Sequence, residues 1–144
     1  PFFCHYFTPF SYSINFRRAI MSNCIPLTIS KIEKSEIKGI LILHLTGANG
    51  SHVLGELPEK LIGGKISPND KVALVLSSSP LSIDELSKRG QPLILCEGIV
   101  YKKVPLNDKV RYWISIHGLQ FRIETKTEVA KGIEKVWIGI VKQA

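Results

Sequence analysis

The sequence predicts a single all-β barrel of antiparallel strands. Two observations carry that prediction. From residue 27 onward, short β-branched and apolar runs alternate with turn chemistry at the spacing of a sandwich or barrel, and helical periodicity is nearly absent. In the last third, three strand-like segments each hold a glycine near the middle, Gly98, Gly118 and Gly139. A glycine weakens a strand interior, so its recurrence there points to bulges, bends or close backbone approach, as at the corners of a small barrel.

The strands follow in order. Leu27, Ile29 and Ile32 open the first, and residues 40–46 form a second, rich enough in Ile and Leu to be buried on much of both faces. Asn49-Gly50 supplies the two positive φ angles of a type I′ turn, which returns residues 51–57 antiparallel and sets His52 opposite Gly47 and His44 opposite Gly55. Pro58 ends that strand. Gly63-Gly64 and Pro68-Asn69-Asp70 bracket a loop before a strand over 71–77. Residues 77–91 read as a polar surface excursion with room for one helical turn near Asp84, and a loop of this length is a candidate contact region. Strands over 92–102, 110–124 and 135–142 complete the set, with a turn at Pro105-Leu106-Asn107-Asp108.

Side-chain parity within 110–124 is informative. Tyr112, Ile114 and Ile116 are the apolar set before Gly118, whereas Leu119, Phe121 and Ile123 are the apolar set after it. The side-chain period of a strand is two, so one long strand shows this flip only with an extra residue, and a bulge at His117-Gly118 is expected. A strand bent there would serve both sides of the barrel.

Length and composition set the bounds. A chain of 144 residues suits one domain. No apolar run approaches the roughly 18 residues of a membrane-spanning helix. Residues 1–20 are crowded with aromatics and lack acids, and the only methionine is Met21, so translation is expected to start at Met21, with 1–20 a non-native extension and 21–144 the domain. Net charge is +7, of which Arg17 and Arg18 supply +2, leaving +5 for the domain in scattered lysines. Cys4, Cys24 and Cys96 form no CxxC pair, which favours a reducing, cytoplasmic setting over a disulfide framework or structural zinc.

The search for chemistry finds no catalytic constellation, cofactor motif or metal site: GxSxG, GxxxxGK[ST] and HExxH are all missing. His44 and His52 do not fall opposite each other in the expected hairpin, and Cys96 within Leu93-Ile94-Leu95-Cys96 reads as a core thiol. Trp113, facing outward between Arg111 and Ser115 with Arg122 further along, is the candidate contact surface. Its readings are a protein interface, a stacking platform for single-stranded nucleic acid, or internal packing.

Four segments in order resemble one family, the small G-type component of archaeal RNA polymerase and its counterpart, the eighth small subunit shared by the nuclear RNA polymerases. Asn69-Asp70-Lys71-Val72-Ala73-Leu74-Val75-Leu76-Ser77 is similar to the family's GDK-led apolar strand, and Glu97-Gly98-Ile99-Val100-Tyr101 to its G-x-V-Y strand. Ser115-Ile116-His117-Gly118-Leu119-Gln120-Phe121-Arg122-Ile123 resembles the S-x-x-G-L-x-x-[RK]-[IL] core, and Val136-Trp137-Ile138-Gly139-Ile140-Val141-Lys142 the closing strand. The first half matches only in outline, and the chain departs in a shorter connection between Leu57 and Lys71 and in having Gln120 at an aliphatic position. The resemblance implies an eight-stranded antiparallel barrel of the oligonucleotide-binding type. It also implies a non-catalytic transcription subunit without cofactor or metal, docked on the largest subunit of a DNA-directed RNA polymerase, cytoplasmic if archaeal and nuclear if eukaryotic. The alternative is a free-standing protein that binds single-stranded nucleic acid.

Overall fold

A computed structural model describes residues 22–143; the expectations for residues 1–20 and for a start at Met21 concern residues outside that range. Eight antiparallel strands close into a barrel in the order β1-β2-β3-β7-β6-β5-β8-β4. They are β1 (Ser22–Lys34), β2 (Ile40–Thr46), β3 (His52–Pro58), β4 (Lys71–Ser77), β5 (Gln91–Pro105), β6 (Val110–Ile116), β7 (Leu119–Thr125) and β8 (Glu134–Lys142). Among the described residues two short helices interrupt the strands, α1 (Glu59–Ile62) and α2 (Ile83–Ser87). The all-β barrel expected from the sequence, with the eight antiparallel strands that the resemblance implies, is the architecture observed.

The long bent strand lies elsewhere than expected. Residues 110–124 are two strands, β6 and β7, paired antiparallel from Val110↔Thr125 to Ile116↔Leu119 without a register shift. His117 and Gly118 join them with φ of 49° and 91°, the pair of positive angles that defines a type I′ hairpin turn. In such a hairpin even positions face odd ones, Tyr112↔Ile123 and Ile114↔Phe121, so the parity flip is the signature of a two-residue turn as much as of a bulge.

Corner-turning falls to β1 and β5. The first half of β1 pairs with β4 and the second with β2, and the ladder slips between Ile29 and Lys31 just after the change of partner. Strand β5 does the same, pairing with β8 up to Val100 and with β6 from Ile99, with a slip between Val100 and Lys102.

The three glycines have two different causes, a turn at Gly118 and close side-chain approach at Gly98 and Gly139. Gly98 is not itself bulged; it lies in bent β5, where a Cβ would come within 2.8 Å of Ile114 Cγ2 and 3.0 Å of Ile116 Cγ1. Gly139 is not a bend either: α2 presses Leu86 onto it, and a Cβ would meet Leu86 Cδ2 at 2.7 Å. The segment 77–91, expected as a surface loop, is thus docked on the barrel. A capping box between Ser82 and Glu85 starts α2, and Leu81 and Leu86 pack with Val75 and Val141 in a small cluster. That cover explains why β4 is buried from Val72 to Ser77 on both faces.

The barrel interior holds Ile25, Leu27, Leu43, Leu45, Val53, Leu74, Tyr112, Phe121, Ile123 and Ile138 among others, each contributing about 1.5–3 kcal/mol by burial. A void of only about 10 Å³ remains among Ile29, Leu45, Ile62 and their neighbours, at or below the space of one water. Tyr112 is fully buried, and its hydroxyl accepts the Val129 N–H at 3.1 Å, tying residues 126–133 to the core. Replacing Tyr112 by phenylalanine leaves that buried N–H unpaired and is expected to cost about 1–3 kcal/mol. Urea unfolding checks this as a lower midpoint at unchanged slope.

Candidate partner-binding face

The described interior is filled by apolar side chains, and the exposed charges stand on the outer surface. Register builds one continuous outer row there: Lys31↔His44, His44↔Leu54, Leu54↔Arg122, Arg122↔Trp113 and Trp113↔Lys102 across six strands. Of the three residues expected to bind a partner, Trp113 and Arg122 stand side by side in this row. The Arg122 guanidinium lies 5.7 Å from the Trp113 ring centroid, and the Lys102 ammonium approaches from the opposite strand at 6.0 Å. Such cation–π contacts contribute about 0.5–1 kcal/mol each at exposed sites.

Arg111 stands in the neighbouring row, and its Nε donates to Glu124 Oε2 at 2.7 Å, so part of its guanidinium is committed within the chain. His44 is likewise engaged. It hydrogen-bonds Glu33 and holds that carboxyl below the ordinary carboxylate range, with Lys31 3.8 Å from the same oxygen.

Below the row the β3–β7 ladder stops at Gly55↔Phe121. The next outward residues replace it with side-chain bonds: Glu56 Oε1 accepts the Gln120 N–H at 2.9 Å, and the Tyr101 hydroxyl donates to Gln120 Oε1. The parted strands leave a cleft of about 100 Å³ lined by Ile42, Leu54, Glu56, Trp113, Gln120 and Arg122. Two donors on residues that line this cleft, Trp113 Nε1 and Arg122 Nε, are buried without a hydrogen-bond partner among the described residues. A wider hollow of about 320 Å³ lies over the β6–β7 turn, with Ile99, His117 and Lys135 in its lining.

The expected pairing of the two other histidine-flanked positions changes in detail. The β2–β3 loop is not a type I′ turn: of Asn49 and Gly50 only Gly50 has a positive φ, 86°, and the strands meet as Thr46↔His52 and His44↔Leu54. The hydrogen bonds Gly50 N–H to Gly47 O and Gly47 N–H to Ser51 O make a longer loop, which moves the register by one.

Among the described residues no group of three or more His, Cys, Asp or Glu side chains could hold a metal ion. No helix among them is long and apolar enough to cross a membrane. Cys96 packs against the core, and burial pushes its thiol up to about 11 from an ordinary 9.0. Because the folded value is raised, the protonated thiol favours the folded state below pH 9.0, and that contribution fades as pH climbs toward 11. Alkylation of Cys96 by iodoacetamide at pH 8 is expected to run at least roughly tenfold slower in the folded than in the urea-unfolded chain, read by peptide mass mapping.

No protein-family model matches this chain. No curated protein matches it. Among solved structures it is similar at 15% identity to the cytoplasmic molybdate-binding protein ModG in a molybdate-bound form. That likeness has a TM-score of 0.33 and covers 83% of this chain and 89% of that one, too slight to inform either fold or ligand.

Lys102, Leu54 and Ile42 belong to the face and were missed in the sequence. Their signal is the cross-strand register of β5, β3 and β2 with the β6–β7 hairpin, which becomes legible only once His117-Gly118 is read as a turn.

Proposed function

We propose that this chain is a non-catalytic subunit of a multisubunit DNA-directed RNA polymerase, docking on the largest subunit through the outer face of β3, β7, β6 and β5. The observation that carries the reading is the Lys102–Trp113–Arg122 row with its two unpaired donors, set on the outside of a barrel whose inside is packed solid. A barrel whose described interior is filled by apolar side chains, with a half-buried aromatic flanked by cations on its outside, is suited to holding another macromolecule. Tryptophan and arginine are among the residues most enriched at the centres of such contacts.

The ordered resemblance over residues 70–144, with Gly118 now placed at a turn that requires glycine, supports the polymerase family and an oligonucleotide-binding type of barrel. The alternative of a free single-strand binder is served less well, because a stacking platform needs an open ring face and Trp113 has a cation-bearing neighbour on each flanking strand.

Affinity purification of the tagged chain from its host tests the proposal. Recovery of the large polymerase subunits, reduced by Trp113→Ala, is the expected result. Recovery of none of them overturns it, and tight oligonucleotide binding that falls steeply with salt in their absence selects the alternative.

A further inference from the structure

We infer that the cleft between β3 and β7 is a carboxylate-binding subsite, made to take one aspartate or glutamate side chain from a protein partner. The inference deepens the docking role proposed above and rests on it only for the partner's identity.

Three properties of the cleft define its occupant. First, its unsatisfied groups are donors. Trp113 Nε1–H and Arg122 Nε–H have no acceptor among the described residues, although most buried polar atoms in proteins find one. The occupant must therefore bring acceptors. A carboxylate brings two oxygens with about four lone-pair directions and no donor, so it can take an indole N–H and a guanidinium N–H together. Second, the charge is positive but limited. Arg122 and Lys102 flank the indole, while Glu56 stands in the cleft with its Oε1 already accepting the Gln120 N–H. One added negative charge is compensated there. A run of phosphates would bring several negative charges to a place with two cations and one carboxylate already present, which sets nucleic acid below an acidic side chain. Third, the remaining walls, Ile42 and Leu54, are apolar and the volume is about 100 Å³, which suits the methylene stem and head of a single side chain.

The cleft also has a structural reason to exist. Phe121 lies over Gly55 with no room for a Cβ, the β3–β7 ladder ends at that pair, and the strands part beyond it. The two donors are covered by surrounding side chains in the free chain, so entry of the carboxylate requires those side chains to shift. The hydrogen bond to the Arg122 guanidinium is then charge-assisted, and such bonds are about twice as strong as neutral ones.

The test reads the Trp113 indole N–H directly in a ¹H–¹⁵N spectrum of the full chain, with Trp113→Phe identifying its signal against that of Trp137. N-acetyl-aspartate N-methylamide serves as the carboxylate probe, sodium chloride at matched ionic strength as the salt control, and oligothymidylate as the nucleic-acid arm. A saturable millimolar shift of the Trp113 indole with the carboxylate probe and not with chloride is expected, weakened about tenfold by Arg122→Gln.

An unmoved indole overturns the inference, as does a shift that Arg122→Gln leaves intact. A shift produced by oligothymidylate at lower concentration than by the carboxylate also overturns it and assigns the cleft to nucleic acid. Should Arg122→Gln fail to fold, the wild-type titration decides alone. The titration needs no polymerase, so its failure is distinct from failure of the affinity purification.

Discussion

Substitution of Gly55 by valine is expected to destabilise the barrel by about 1–3 kcal/mol or more, because the space beside that backbone is already taken by Phe121. A Cβ on Gly55 would sit 2.7 Å from Phe121 Cζ, 2.9 Å from Cε2 and 3.0 Å from Cε1. The ring cannot retreat, being 1% exposed in the middle of the core. Gly55 is also registered against both Leu43 and Phe121, so it cannot move without disturbing two ladders. Phe121→Ala alone removes the ring and is expected to cost about 3–5 kcal/mol. The double variant should cost less than the sum of the two, since the valine occupies part of the vacated volume, and denaturant midpoints of all four proteins measure that coupling. Simple additivity would show that Gly55 is not held small by the ring.

The second large effect is expected at Gly90. Its φ is +151° and an added Cβ would stand 2.4 Å from the backbone oxygen of Lys142 and 2.9 Å from Val141 Cγ1. A backbone oxygen in the ladder cannot rotate aside as a side-chain tip can. Gly90→Ala therefore has to move the start of β5 away from the end of β8, where Gln91 pairs with Lys142. Conformational strain of this kind costs about 1–3 kcal/mol, with the lost pairing added to it. The expected signature is a lower melting temperature together with faster amide exchange concentrated at the β5–β8 end, leaving the β6–β7 hairpin protected. Uniformly faster exchange would place the damage elsewhere.

Much of the barrel was legible because alternation is a direct image of burial. Residues 40–46 and 71–77 coincide with β2 and β4, since continuous Ile, Leu and Val runs bounded by turn residues have few other solutions. Alternation alone does not divide residues 110–124 into two strands, because a bulge and a two-residue turn shift parity identically, and only the backbone angles of His117 and Gly118 tell them apart. At Asn49-Gly50 the turn residues were right and the loop was longer, because Asn49 keeps a negative φ and its side chain instead accepts the Ser51 N–H at 3.2 Å. The bends of β1 and β5 left no mark of their own, as a change of hydrogen-bonding partner along a strand does not alter which side chains are apolar. At the candidate site, Trp113 and Arg122 were found by their outward parity. Lys102 was not, because the slip between Val100 and Lys102 resets the alternation just where it would have been counted.

The position of β4 in the barrel bears on how the protein is made. This strand, Lys71-Val72-Ala73-Leu74-Val75-Leu76-Ser77, is the most uniformly buried of the eight, and both of its neighbours are distant in the chain, β1 well before it and β8 well after. During synthesis it can pair with β1 early, but its other edge stays bare until β8 has left the ribosome, and its outer face stays bare until α2 has docked. A growing chain thus carries a greasy strand with an open hydrogen-bonding edge through the synthesis of β5, β6 and β7, the kind of segment that chains add to one another in aggregates. Premature stops between β7 and β8 should therefore yield insoluble product that holdase chaperones rescue, while the intact chain hides the same residues permanently by closing the ring.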